Sequence, residues 1–258
     1  MSDQLHSIHP NAKIGSGTEV GPFTYISEDV TIGENCWIGP NVTIMDGARI
    51  GNNCKIFPGA VISAIPQDLK FDGEVTLTEV GDNTTIRECV TLNRGTKDRM
   101  TTKIGSNCLL MAYVHVAHDA EIGNNCIIAN SANIAGHVTI QDWVIIEGVV
   151  AIQQFVTIGA HAFIGGGSLV RKNVPPYVKA AREPLSYVGV NSIGLRRRGF
   201  ENEVITSIED IYRSIYVHNT NMTLAIKAAD MELPSSPSKE LILDFIRSSD
   251  KGIIRGPF

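Results

Sequence analysis

A period of six governs most of this chain. Reading every sixth residue from Ile8 to Val170 gives 28 positions, of which 25 are Ile, Leu or Val; the exceptions are Asp68, Glu74 and Asp98. Neither the 3.6 of a helix nor the 2 of an ordinary strand produces such a spacing. It is the hexapeptide signature of a parallel β-helix, in which six residues form one flat side and three sides close an 18-residue triangular coil. The aliphatic points inward and stacks on its equivalent one coil away. The residue two before it is usually small, as at Ala12, Thr18, Cys36, Cys54, Ala60, Cys108 and Cys126. Glycine often follows it, as in Ile32-Gly33 and Ile122-Gly123, where we expect the chain to turn. About nine coils at a strand spacing of ~4.8 Å make a prism roughly 40 Å long.

Two segments, 63–79 and 93–103, lose the pattern but keep its phase, which predicts loops protruding from the prism. Loops on a rigid scaffold are where function concentrates. Pro175-Pro176 ends the repeat, and the tail reads as helices. Residues 200–217 place Val204, Ile208, Ile211 and Ile215 on one face, and residues 221–232 form a second candidate. Ser236 as N-cap and Pro237 in the first turn open a third, which Gly252 closes. The expected organisation is a β-helical unit over 1–178 and a linker with an α-helical unit over 179–258.

Composition narrows the function classes. Apolar residues make up 43% of the chain, too many for a disordered one, and aromatics only 6%, so the interior is largely aliphatic. The net charge of −5 argues against a nucleic-acid binder. It hides an asymmetry: residues 1–170 carry 9 Lys/Arg against 17 Asp/Glu, whereas residues 171–258 carry 13 against 10. An acidic partner should prefer the C-terminal part. No signal peptide and no transmembrane segment is read from the sequence. Five cysteines without a CxxC point to a cytoplasmic protein with reduced thiols. Cys36, Cys54, Cys108 and Cys126 share the small-residue phase and read as core filler; Cys89 lies outside it and has no obvious base beside it.

With 18 residues per coil, residues i and i+18 lie one above the other. His118 therefore stacks on Gly136, beside His137, and Gly136 on Gln154, beside Gln153, with His115 three residues before His118. Three of the seven histidines converge on one edge. Solvated corner residues are the bland reading. Acid–base chemistry by an imidazole poised near neutral pH is one functional reading, and a zinc site of three imidazoles (His115, His118, His137), as in a carbonic anhydrase, is another. A non-enzymatic solenoid is a third possibility, against which the irregular loops and basic tail argue. The scaffold alone does not choose among them.

A set of motifs does. QDLK at 67–70, IRECVTLNRGT at 86–96, LLMAYVHVAHDAEIGNNC at 109–126 and IAGHVTI at 134–140 are joined by QQF at 153–155, IGAHAFIGGGS at 158–168, NVPPYV at 173–178 and GLRRRGF at 194–200. Together, over nearly the whole chain, they resemble the UDP-N-acetylglucosamine O-acyltransferases of lipid A synthesis. The resemblance implies a left-handed parallel β-helix with a C-terminal α-helical domain, assembled as a homotrimer with active sites between subunits. It implies transfer of a 3-hydroxyacyl group from acyl carrier protein to the 3-hydroxyl of UDP-N-acetylglucosamine, without a metal or cofactor.

On the same resemblance, His118 is the general base, Asp119 its support, and Gly136 the backbone N–H donor to the oxyanion. Gln67, Asp68, Leu69 and Lys70 contact the sugar nucleotide from the adjacent subunit, and His115, His137 and Gln154 contact substrate. Asn191, Arg197 and Arg198 match the nucleotide end, where a guanidinium fork suits a diphosphate. Some of the basic residues there, with Arg171, Lys172 and Lys179, are alternatively placed to dock the carrier protein. Gly166 falls on the acyl-length position, and its missing side chain predicts a long acyl chain, although Phe163 lies nearby. The chain departs from the family pattern at Gln153, Asn93 and Pro184, where histidine is frequent, and at Ile193, where glutamate is. These departures leave open a 3-amino sugar acceptor, or N-acyl transfer in the same pathway, as the alternative.

Overall fold

The computed structural model describes residues 5–217 and 222–256. Among them, strands that are parallel except for the last form three sheets of nine, eight and ten, one sheet per side of a triangular prism. The arrangement is a left-handed parallel β-helix. Strands are mostly two residues long and pair eighteen residues apart, as in Ile26 with Ile44 and Ile122 with Ile140. The repeat follows directly: each aliphatic of the series from Ile26 to Val170 is 0–4% exposed. Each such burial contributes roughly 1.5–3 kcal/mol. Ile8, Ile14 and Val20 of the first coil are only half-buried, because that coil stacks on a neighbour from one side.

The turns differ from the expectation. Three residues after each core aliphatic, most corners hold a residue with positive φ. Asn35, Asn53, Asn83, Asn107 and Asn125 stack in one such column, and Asp119, His137 and Phe155 in another, with φ between 54° and 66°. Asn, Asp and His tolerate this region better than most side chains. The glycine directly after the aliphatic serves another purpose. A Cβ on Gly33 would lie 2.7 Å from the Gly51 carbonyl carbon, and one on Gly105 2.5 Å from that of Gly123. Those glycines permit close approach of successive coils rather than the turn itself.

Both insertions keep the phase. Ile62 pairs with Leu92, thirty residues on, and Leu92 with Val116, twenty-four on, instead of eighteen. Strands run further into the insertions than the lost repeat suggested: Leu77–Val80 pairs with Thr101–Ile104 over four residues. The irregular parts are therefore 65–76 and 94–100.

The prism ends where Val178–Ala181 pairs with Phe163–Ile164 and then, antiparallel, with Ser186–Val190. Four helices follow among the described residues: α1 Ser192–Arg197, α2 Asn202–Tyr216, α3 Met222–Glu232 and α4 Pro237–Arg247. The expected second helix opens at 221, a residue outside those described; α3 itself begins at Met222. The buried face of α2 is Ile205, Ile208, Ile211, Tyr212 and Ile215, whereas Val204 is 38% exposed. The face is thus rotated from the expected one, and Tyr212 donates to the Pro176 carbonyl to anchor α2 on the prism. Ser236 caps α4 by accepting from the Lys239 N–H. No helix among the described residues is long and apolar enough to cross a membrane.

Candidate active site

A cleft of about 730 Å³ lies between the 65–76 insertion and one side of the prism. Gln67, Asp68, Leu69 and Lys70 form one wall, and His115, His118, Gly136 and Gln154 are on the other. The loop is locally braced, since Asp68 Oδ1 accepts from the Lys70 N–H at 3.0 Å. Leu69 is fully exposed at its tip.

The corner column places the reactive pair. His118 is 8% exposed and Asp119 is completely buried behind it. His118 Nδ1 and Asp119 Oδ2 are 2.8 Å apart. Burial, the largest influence on Asp119, pushes its carboxyl up; the hydrogen bonds from Thr96 and His118 outweigh it and hold the group below the ordinary carboxylate range. An ionised carboxylate can only accept, so Nδ1 of His118 carries the proton and Nε2 is left as the basic lone pair.

That lone pair sits over Gly136, where a Cβ would lie 2.7 Å from His118 Cε1 and 2.8 Å from Nε2. Only glycine leaves the ring its place. At the asparagine corner the backbone N–H two residues after the core aliphatic is taken by a side-chain oxygen: Ser106 donates to Asn124 Oδ1 at 2.9 Å and Asn124 to Asp142 Oδ1 at 2.7 Å. The Gly136 N–H donates to no group among the described residues. His118 and Gly136 both line the cleft, and an imidazole beside a spare backbone N–H is a pairing chemically able to serve proton removal and oxyanion stabilisation.

His115 reaches the cleft, with its Nδ1 2.8 Å from Thr91 Oγ1, and burial lowers its pKa. His137 lies behind the cleft rather than in it. Its ring stacks on Phe155 at 4.6 Å and meets the His118 ring edge-on at 5.1 Å. His137 Nε2 is 3.7 Å from Asp119 Oδ2, and Nδ1 is 3.0 Å from Asp98 Oδ2 without hydrogen-bond alignment. Burial lowers its pKa, against the pull of Asp119. Among the described residues, His118, Asp119 and His137 put ligand atoms within 4.8 Å of one another, a group that does not include His115.

The remaining expected residues stand at other corners. Asn191 caps α1, accepting from the Gly194 N–H at 3.3 Å and donating to the His161 carbonyl at 2.9 Å. Arg197 is exposed. The Arg198 guanidinium lies 5.4 Å over the Trp143 ring and donates to His161 Nδ1 at 3.2 Å. Gly166 occupies the third corner, exposed, with its N–H donating to Glu147 Oε2. Of the departures, Asn93 is buried and donates to the Ile65 carbonyl, and neither it nor Gln153 nor Ile193 lines the cleft. Sequence reasoning missed Thr96 and Arg99, which bind Asp119, and the Trp143–His161–Tyr177 stack. The stack was findable, since those rings continue the asparagine corner column.

Comparison with known proteins agrees with this site. A family model described as UDP-N-acetylglucosamine O-acyltransferase, domain 2, matches residues 173–254, and one for bacterial transferase hexapeptide repeats matches 29–64 and 101–136. Acyl-[acyl-carrier-protein]–UDP-N-acetylglucosamine O-acyltransferases are similar along their length. That of Sulfurihydrogenibium is 49% identical over 95% of this chain and 93% of its own, and that of Aliivibrio fischeri 42% over 99% and 100%. Among solved structures, a UDP-N-acetylglucosamine acyltransferase from Bacteroides fragilis superposes with a TM-score of 0.97 at 52% identity, covering 99% of this chain and 100% of that one. The enzyme from Francisella novicida gives 0.93 at 38%, covering 98% and 93%. With the buried His118–Asp119 pair beside an unused backbone donor, these similarities place the chain in the UDP-N-acetylglucosamine O-acyltransferase family.

Proposed function

We propose that the protein moves a 3-hydroxyacyl chain from acyl carrier protein to the 3-hydroxyl of UDP-N-acetylglucosamine, the first step of lipid A synthesis, in the cytoplasm. The observation that carries this reading is the His118 imidazole, paired through Nδ1 with the buried Asp119 carboxylate, with its ring beside Gly136, whose N–H donates to no group among the described residues. His118 Nε2 takes the proton of the sugar hydroxyl as its oxygen attacks the thioester carbonyl. The oxyanion of the tetrahedral intermediate accepts from the Gly136 N–H. Collapse breaks the C–S bond, and the imidazolium returns its proton to the departing thiolate, so no other reactant is needed.

The cleft is incomplete in one chain. Asn191, Arg197, Arg198 and Gly166 sit at corners other than that of His118. A homotrimer of prisms brings corners of different copies together, which supports nucleotide and acyl sites shared between subunits. In this division the 1–178 unit supplies the base and the cleft, and the 179–258 unit, with its Arg196–Arg198 run, meets the diphosphate and the acidic carrier protein. All five cysteines are free thiols, in keeping with a reducing compartment.

Replacing His118 with Ala tests the reading. Acyl transfer from 3-hydroxyacyl carrier protein should fall by roughly 10²- to 10⁴-fold, with the trimer and sugar-nucleotide binding retained. Turnover near that of the unaltered protein overturns it.

A further inference from the structure

The shorter insertion, 94–100, wraps the catalytic carboxylate. Asp119 Oδ2 accepts from Thr96 Oγ1 at 2.6 Å, and Oδ1 accepts from the Thr96 N–H at 2.9 Å and the Arg99 N–H at 3.3 Å. The Arg99 guanidinium donates to the Asp119 backbone carbonyl at 3.1 Å. Thr96 is itself buried, at 6% exposure. Among the described residues, the side-chain partners of this carboxylate are His118 and this insertion, with His137 Nε2 beyond hydrogen-bond distance. The six residues that lengthen this coil thus deliver a threonine to the one carboxylate that fixes the base.

We infer that Thr96 is a positioning residue for acyl transfer: its paired hydrogen bonds hold the Asp119 carboxylate in the orientation that aims His118 at the substrate. The inference rests on His118 acting as the base. The titratable and charged groups around Asp119 are His118, His137, Asp98 and Arg99. Thr96 acts through the hydroxyl on Oδ2, the same oxygen that His118 uses. Removing that hydroxyl frees the carboxylate to rotate, so fewer encounters find the imidazole aligned.

The test compares Thr96→Val and Thr96→Ser in steady-state acyl transfer, with melting temperature measured in parallel. Thr96→Val should lower kcat roughly 10- to 100-fold and leave KM for the sugar nucleotide within about two-fold. Thr96→Ser, which keeps the hydroxyl, should restore the rate. If Thr96→Val does not melt cooperatively, Thr96→Ala serves in its place with the same expectations. Val or Ala variants with unchanged kcat overturn the inference, as does a Ser variant as slow as Val. If the unaltered protein shows no acyl transfer, or His118→Ala retains full activity, the proposed function fails instead.

Discussion

At the scale of residues, the site rests on what Gly136 lacks. A Cβ there would meet the His118 ring at under 3 Å, at both Cε1 and Nε2. Gly136→Ala should therefore lower kcat by roughly 10²-fold or more with the coil intact, read by turnover and by thermal melting side by side. Gly166 is the contrasting case. The nearest atom to a Cβ there is the Gly148 carbonyl at 3.4 Å, ordinary contact that a side chain can accept. Gly166→Met should fold and shift preference to shorter acyl donors; an unchanged chain-length profile contradicts the open-groove reading. The placing of His118 one coil from Gly136 was legible in the sequence because eighteen-residue spacing fixes who stands above whom, whereas the roles expected of Asp119 and Gly136 came from the family resemblance. Thr96 was not, because an insertion breaks that spacing and its contact with Asp119 depends on how the loop folds back.

At the scale of elements, the repeat dictates the core and its weak end alike. Ile134 is completely buried between coils on both sides, whereas Ile8, in the first coil, is half-buried. Ile134→Ala should cost about 2–5 kcal/mol and Ile8→Ala clearly less, measured by denaturant unfolding of the two variants. The prism was readable because a period of six belongs to no other common element. Finer features escaped for physical reasons. The glycine after each aliphatic looked like a turn residue, but the left-handed φ falls two residues later, and the glycine makes room for the next coil. The insertions looked longer than they are because Leu77–Val80 and Thr101–Ile104 pair with each other outside the hexapeptide pattern. On α2, apolar residues at both 204 and 205 satisfy helical spacing, and only tertiary packing, which buries Ile205 and leaves Val204 partly exposed, chooses between them.

At the scale of the whole molecule, the corners have different work. One column carries His118's partner Asp119 and His137; a second carries Trp143 and His161 under Arg198. Burial, with the Arg198 charge beside it, lowers the His161 pKa to about 4 from an ordinary 6.5. As the pH falls through 6.5 the unfolded chain takes up a proton that the folded one refuses until about 4. Stability from this group is therefore complete above pH 6.5 and is lost progressively between 6.5 and 4. The melting temperature should fall over that window, and less in His161→Asn, since asparagine occupies this corner in lower coils at the same positive φ.

The central claim is that this architecture esterifies a sugar nucleotide. It is tested most directly by the mass and linkage of the product formed when the protein is given a ladder of 3-hydroxyacyl carrier proteins with UDP-N-acetylglucosamine, its 3-amino analogue and an acylated amino sugar side by side. The account predicts one 3-hydroxyacyl group in ester linkage at the 3-position of UDP-N-acetylglucosamine, and none when His118 is alanine. Product formed only from an amine acceptor, or no product from any donor of the ladder, would contradict it.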